Sequence, residues 1–200
     1  MSGIIGDNLG RSSGLVKSAS VSAGLTLIDT STVSSSVANL SIDNIFTSTY
    51  DVYIIYGYAL YVNSTAQQPM AFRYIKESDG SVDSGGNYEM IRHGIVRTGS
   101  TSAIDDASTS ADWHKFGDYA GISDATTNTA FNITFFNPQS TSDEKISIAQ
   151  FMSKGASGYI DLEHSGCSYN QDSTAVRGIQ LLSNVNLEGG TFKTYGITKT

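Results

Sequence analysis

Hydrophobic and polar residues alternate along most of this chain, in short runs separated by Ser, Thr, Asn, Asp and Gly. The clearest run is TYDVYIIYGYALYV, residues 49–62, in which the even positions from Tyr50 to Leu60 are nearly all apolar. Residues two apart lie on one face of a strand. Tyr53, Ile55 and Tyr61 add aromatic and apolar surface on the other face. This run therefore predicts a central strand that is at least partly buried on both faces.

Similar runs predict further strands at residues 37–42, 70–77, 88–97, 130–136, 145–152, 158–164, 177–183 and 191–198. Eight or nine short strands without a helical pattern are typical of an antiparallel β-sandwich, most simply two sheets in a jelly-roll-like arrangement. The sequence thus predicts one all-β domain over residues 31–200.

Two of the predicted strands have a plainly apolar face, which we expect to point into the core. One face carries Ile146, Ile148 and Met152, and the other carries Ile160 and Leu162. The intervening acidic residues, Asp161 and Glu163, are then expected on the solvated side of their strand.

Residues 98–127 are the least regular part of the chain and predict a long loop. They include the only tryptophan, Trp113, with Tyr119 close behind it. A long loop in a compact domain often binds a ligand or packs on a neighbour. Trp113 and Tyr119 are candidates for stacking against sugar rings. The alternative is that Trp113 anchors its own loop or packs against another subunit.

Residues 1–30 begin MSGIIGDNLGRSSGLVK and show no strand or helix period. We predict an extended N-terminal arm that becomes ordered on a partner surface, because ordering such a segment costs chain entropy that only new contacts offset. The predicted docking residues are Ile4, Ile5, Leu9, Leu15 and Val16, with Gly3, Gly6, Gly10 and Gly14 allowing close backbone approach.

Composition and charge exclude several classes of protein. The net charge is −7, and the 12 basic residues are scattered, whereas a nucleic-acid groove needs clustered Lys and Arg. The single cysteine, Cys167, excludes an intrachain disulfide and a closed thiolate zinc site. No run approaches the roughly 18 apolar residues of a membrane helix, and the start lacks the apolar core of a signal peptide. We therefore expect no membrane insertion and production in a cytoplasm.

Catalytic motifs are weak. GRSSG matches the Gly-x-Ser-x-Gly nucleophile elbow with Ser12 as nucleophile, but no strand precedes it and no helix follows. Asp161 and Glu163 are spaced for a glycosidase pair, although the alternation with Ile160 and Leu162 already explains them.

Metal and nucleotide motifs are also missing. The three histidines, at positions 93, 114 and 164, are too far apart for a local ligand pair, and the acidic loops SDGSVDS and IDDASTSAD lack the spacing of an EF-hand. No Walker or Gly-x-Gly-x-x-Gly motif is present. We predict no catalytic residue, metal or cofactor.

The opening MSGIIGDNLGRSSGLVK, the run NIFTSTYDVYIIY and the terminal TFKTYGIT resemble a family of small structural proteins of tailed bacteriophages, especially those of marine bacteria. The resemblance covers about twenty N-terminal residues, the first long strand and the last strand. It implies a virion protein with a β-sandwich body, placed as a tail fibre, a knob or a capsid decoration, and carries no catalytic residue over.

From the resemblance and the arm together, we predict an exterior structural protein of a phage virion, assembled in the host cytoplasm. Its partners are then other virion proteins of the capsid or tail, and the resemblance implies a homo-oligomer, preferably a trimer. An alternative is a carbohydrate-binding receptor module at a fibre tip, with a host surface glycan as ligand. A polysaccharide-degrading enzyme using Asp161 and Glu163 is the last of the three hypotheses.

Overall fold

The structure, a computed structural model, describes residues 24–64, 66, 68–97, 100–121, 128–154, 160–171 and 173–198. The described residues form eleven strands and no helix. The strands are β1 (Leu25–Val33), β2 (Val37–Ile42), β3 (Tyr50–Val62), β4 (Met70–Lys76), β5 (Tyr88–Arg97), β6 (Thr101–Ala111), β7 (His114–Gly117), β8 (Asn128–Phe136), β9 (Lys145–Lys154), β10 (Ile160–Tyr169) and β11 (Val176–Thr198). All pairings are antiparallel, which confirms the predicted fold class.

The strands are arranged as one sheet that folds over into two layers. The order along the sheet is β6-β5-β10-β9-β8-β3-β11-β4-β7, with β1 and β2 also paired to β11. The large layer contains β6, β5, β10, β9, β8, β3, the C-terminal half of β11 and β1. The small layer contains β2, the N-terminal half of β11, β4 and β7. Because β7 packs across β5, β9 and β10, the small layer covers one face of the large one.

The last strand, β11, belongs to both layers. Residues 176–182 pair with β4 and β2, and residues 187–198 pair with β3 and β1. The two predicted strands at 177–183 and 191–198 are therefore one continuous strand. Register shifts around Leu187 and Gly189 allow it to pass from one layer to the other.

The prediction of a long loop over residues 98–127 is wrong in part, because β6 and β7 lie within it. The Ser, Asp and Ala residues of β6 have little intrinsic preference for strands. They are nevertheless extended because β6 pairs along its length with β5. The sheet also begins earlier than the predicted end of the arm at residue 30, since β1 starts at Leu25.

Aromatic side chains fill the space between the two layers. Phe72 and Tyr74 on β4 meet Phe135 on β8 with ring centroids 5.2 and 6.0 Å apart, and Tyr74 lies 4.9 Å from Tyr169 on β10. Phe116 on β7 lies over the opposite layer as well. All five side chains are completely buried. This interior fixes which face of the large layer is covered and which is open.

Candidate functional site

The strands β5, β9 and β10 carry several charged and polar residues on the covered face and several large apolar residues on the open face. Strict alternation places Arg92, Lys145, Ser147, Ser153, Asp161, Glu163 and Ser165 on the covered face. Ile146, Ile148, Met152, Ile160 and Leu162 lie on the opposite, open face, between 38% and 53% exposed. The prediction that these apolar residues face the core is wrong, as is the solvated position predicted for Asp161 and Glu163.

The inversion has a physical cause in the partners that the buried charged groups find in both layers. Arg92 on β5 contacts Glu163 on β10 at 2.5 Å, Asp118 after β7 at 2.6 Å and Asp106 on β6 at 2.8 Å. Glu163 also accepts a hydrogen bond from the backbone N–H of Asp118 at 2.5 Å. Buried charges are tolerated where they are paired and hydrogen-bonded in this way. Alternation shows only that two faces differ, and these contacts decide which face is covered.

A glycine makes room for the buried carboxylate. Gly94 lies opposite Glu163 in the β5–β10 register, and a Cβ at Gly94 would approach the Leu162 carbonyl oxygen to 2.6 Å and Cγ of Glu163 to 2.7 Å. Although burial alone would lower the pKa of Arg92, the surrounding carboxylates, Glu163 first, raise it. Arg92 therefore stays charged and holds β5, β6, β10 and the end of β7 together.

His114 lies beside this ion cluster as a neutral side chain. Its Nδ1 is 3.1 Å from Oγ of Ser147, and its Nε2 is 2.9 Å from Oγ of Ser165. Burial, together with the positive charge of Arg92, lowers the pKa of His114 to about 3. Both ring nitrogens have partners, so His114 links β7 to β9 and β10 and is a structural residue.

Asp161 and Glu163 do not form an accessible acid pair. Both side chains are completely buried, and both Glu163 oxygens already accept bonds from Arg92 and Asp118. Burial, followed by the neighbouring Glu163, raises the pKa of Asp161 well above its usual range. A polysaccharide cannot touch either carboxylate in this structure.

The open side of the large layer, here called the outer face, is the most unusual surface of the described chain. The large hydrophobic residues exposed among the described residues all lie on it: Leu25, Leu27, Tyr56, Tyr58, Ile91, Ile95, Ile146, Ile148, Met152, Ile160, Leu162 and Ile197. A concentration of exposed apolar side chains on one face is typical of a binding or assembly surface.

Strand register organises the outer face into rows that cross the strands. One row is polar and is here called the polar row: Asp105, His93, His164, Gln150, Asn132, Tyr56 and Lys193, each paired with the next across neighbouring strands. His93 Nδ1 is 2.6 Å from Oδ1 of Asp105, and Asn132 Nδ2 donates to Oε1 of Gln150 at 3.1 Å. The polar row runs from an acid on β6 to a base on β11, and the register continues from Lys193 to Thr30 on β1.

Apolar rows flank the polar row on both sides. On one side Ile95 pairs with Leu162, which pairs with Met152. On the other side Ile91 and Ile148 flank Gly166, whose missing side chain leaves a shallow groove of about 720 Å³.

A second groove of about 520 Å³ crosses the polar row itself. Tyr56, Tyr58, Asn132, Gln150 and His164 contribute to its lining. A bulge between Gly57 and Leu60 exposes Tyr58, over whose ring the Lys193 ammonium lies 6.0 Å from the centroid. A groove lined by aromatic rings and amide groups is suited to bind either a sugar or another protein surface.

The structure places the two predicted ligand-binding residues at opposite ends of β7, away from the outer face. Trp113 precedes β7, is half-buried and packs against the Arg73 guanidinium, which lies 5.6 Å from the ring centroid and also binds Asp112. Tyr119 follows β7 and is half-buried, and its backbone carbonyl accepts a hydrogen bond from Ser153. The contacts of Trp113 fit the alternative that it anchors its own loop. Sugar stacking by Trp113 or Tyr119 stays a prediction.

The predicted arm residues, Ile4, Ile5, Leu9, Leu15, Val16 and the glycines Gly3, Gly6, Gly10 and Gly14, lie outside the described residues, as does Ser12. Within the described ranges, no group of three or more His, Cys, Asp or Glu side chains is arranged to hold a metal ion. In that same part of the chain, no helix has the length and apolar character needed to cross a membrane.

No protein-family model and no curated protein matches the chain. Among solved structures, it is similar to the CBM2 module of the evolved Dit of Lactobacillus casei BL23 phage J-1. The match has 12% sequence identity and covers 86% of this chain and 70% of that chain. At a TM-score of 0.22 this likeness is too weak to show a shared fold or to support a function.

Proposed function

We propose that the protein is a structural component of a tailed-bacteriophage virion and acts by assembly, with its outer face as one assembly surface. The observation that carries the assembly role is the concentration of exposed large hydrophobic residues on that one face. The phage setting rests on the resemblance of the N-terminal segment, the first long strand and the last strand to virion proteins. The predicted arm supplies a second attachment, through Ile4, Ile5 and Leu15 among others.

The free energy available from the outer face is large enough to matter. The seven aliphatic residues exposed on β5, β9 and β10 are on average about half exposed. Complete burial of such a side chain contributes about 1.5–3 kcal/mol, so covering these exposed halves contributes about 5–10 kcal/mol. This is the order of the free energy that association costs, which makes the face effective once further contacts add to it.

The experiment is to measure the copy number of the chain on purified particles, by quantitative mass spectrometry, for the wild type and two variants. Deletion of residues 2–17 tests the arm, and Ile148→Lys tests the outer face. We expect both variants to stay folded and to be incorporated at least tenfold less. Ser78→Lys, which adds the same charge in an exposed turn outside the outer face, is the matched control for Ile148→Lys. Absence of the wild-type chain from particles would refute the proposal.

Carbohydrate binding is the second candidate function, and the 520 Å³ groove is the observation that favours it. Tyr58 and Tyr56 would stack on sugar rings there, with Asn132 and Gln150 as hydrogen-bonding groups. Titration with host-envelope oligosaccharides, followed by calorimetry, tests it. Tyr58→Ala should abolish binding, whereas Tyr61→Ala, on the same strand but outside the groove, should not.

A further inference from the structure

We propose that the outer face binds an anionic oligosaccharide, in a continuous groove that runs over β8 from Lys154 to the polar row. The inference rests on carbohydrate binding, the second candidate function given above, and names its ligand class: sugars that carry carboxylate or phosphate groups. Its evidence is the length of the groove, the aromatic ring that the backbone turns outward beside it, and the charge of the residues around it.

Two neighbouring cavities of the outer face form this groove. The cavity of about 520 Å³ across the polar row adjoins one of about 330 Å³, which Asn128 and Lys154 help to line. Tyr58, Ala130 and Met152 line both cavities. The two are therefore continuous, and together they are here called the long groove.

The long groove has room for more than one sugar ring. Lys154 at one end and Gln150 at the other are four residues apart on β9, which corresponds to about 14 Å. Between these ends, Ala130 pairs with Met152, and its single methyl group leaves a depression between the larger side chains of Met152 and Tyr58. A depression of this length fits an extended oligosaccharide.

An uncommon backbone conformation turns an aromatic ring toward the long groove. Ala59 has a φ of 55°, in the left-handed region that residues with a side chain rarely adopt. It lies in the bulge between Gly57 and Leu60, where Tyr58 and Ala59 are both exposed although they are adjacent in the chain. Backbone strain of this kind is concentrated at functional sites. Here it keeps the ring of Tyr58 at the groove, in position to stack on a sugar ring.

The charges around the long groove have the opposite sign to that of the whole chain. The chain has 19 acidic and 12 basic residues, yet none of the described residues that line the groove is acidic. Lys154 lines one end, Arg97 lies level with it because Ile160 pairs with both, and Lys193 lies over the Tyr58 ring. None of these three cations forms a salt bridge with a described carboxylate. Such a distribution of charge favours an anionic ligand.

The acid of the polar row does not neutralise these cations. Asp105 lies on β6, two strands beyond His164 and thus about 10 Å from it, and its carboxylate contacts Nδ1 of His93 at 2.6 Å. A neutral sugar would use the amides of Asn132 and Gln150 but would leave the cations without a partner. An acidic sugar supplies that partner, and hydrogen bonds between ionised groups are stronger than those between neutral groups.

The test is the binding of two anionic probes to the purified full chain, measured by isothermal titration calorimetry. Tetragalacturonate presents carboxylates, and a phosphorylated mannose oligomer presents phosphates. The methyl ester of the first and the dephosphorylated form of the second are their neutral controls. We expect at least one anionic probe to bind about tenfold more tightly than its neutral form at about 0.05 M NaCl, and the difference to shrink at about 0.5 M, because salt screens exposed charges. The probe that binds identifies the anion as a carboxylate or a phosphate.

Substitutions test the position of the ligand. Lys154→Gln and Lys193→Gln should each weaken binding of the anionic probe about threefold, and the double variant about tenfold, because each removes one exposed charge. Binding of the neutral form should not change. Lys76→Gln, on β4 in the small layer, is the matched control and should bind as the wild type does. Tyr58→Ala should abolish binding of both forms, with an unchanged circular dichroism spectrum.

The other outcomes separate this inference from the proposals on which it rests. Equal binding of the anionic and neutral forms overturns the anionic ligand and keeps carbohydrate binding. Binding of an anionic probe that is unchanged by Tyr58→Ala and by both lysine substitutions overturns the long groove as its site. Binding of no probe overturns the inference and carbohydrate binding together. The virion role is decided separately, by the copy number of the chain on particles.

Discussion

Replacing Asp161 by Asn should stabilise the protein by an amount that grows as pH rises. Asp161 is completely buried on β10, between Val96 and Ser153 in the strand register. Burial first, and then the carboxylate of Glu163, raise the pKa of Asp161 well above its usual range, against a smaller lowering effect from Arg92. The folded chain therefore holds a proton at this carboxyl that the unfolded chain releases above about pH 4.

The sign and size of the effect follow from linkage. Where the folded state binds more protons than the unfolded state, the free energy of unfolding falls as pH rises, by about 1.4 kcal/mol per pH unit for one proton. Between pH 4 and pH 7 the wild type should thus lose about 4 kcal/mol through Asp161 alone. Asn keeps the shape and polarity of the side chain but does not titrate. The gain in stability from Asp161→Asn should therefore grow by up to about 4 kcal/mol over this range.

The assay is urea unfolding at several pH values between 4.5 and 7.5, followed by Trp113 fluorescence and by far-ultraviolet circular dichroism. His114 also contributes a pH dependence, because its pKa is lowered to about 3 and the unfolded chain takes up a proton there below about pH 6.5. That contribution is common to both proteins and cancels in the difference. Ser153→Ala is the control, because the difference between its free energy of unfolding and that of the wild type should not change with pH. A constant difference between Asp161→Asn and wild type would refute the reasoning.

The inverted faces and the tight interior lead to two further predictions. Phe72→Ala, in the core, should lower the free energy of unfolding of the monomer by about 3–5 kcal/mol, whereas Ile148→Ser on the outer face should change it by less than about 1 kcal/mol, as measured by urea unfolding. Gly57→Ala should lower it by about 1–3 kcal/mol, because a Cβ there would lie 2.3 Å from the Phe131 ring. Gly166→Ala is its control, with no atom nearer than 4.0 Å, and equal losses in the two glycine variants would contradict the reasoning.

Alternation along the chain predicts most strands well, because each strand of the large layer differs sharply between its two faces. Val37–Ile42 and Tyr88–Arg97 are found with the predicted bounds. The strand β6 is missed because it is exposed on one side and at most half-buried on the other, so it has no apolar face to detect. Its extended conformation comes from pairing with β5, which is a tertiary effect.

The candidate site was not predictable from single strands. The polar row needs the register between seven strands, and a period of two within one strand contains no such information. The sequence also did not show which face of each strand is covered by the small layer. Arg92 gains its buried position from Glu163, Asp106 and Asp118, which are separated from it by up to 71 residues in the chain. The sequence did contain the alternation of Ile160 and Leu162 with the acids Asp161 and Glu163. Either set could have been the buried one, because a carboxylate can be buried where an arginine such as Arg92 pairs with it.

The position of β11 has a consequence for how the protein is made. This strand follows the other ten in the chain, yet it is the hydrogen-bonded neighbour of β1, β2, β3 and β4. During synthesis those four strands therefore cannot form their hydrogen bonds to β11 until residues 176–198 have left the ribosome. Folding of both layers is completed only after the eleventh strand has emerged, and until then the outer face and the unpaired strand edges are exposed together. The apolar surface that we propose for assembly is thus also a surface that a chaperone would have to protect in the nascent chain.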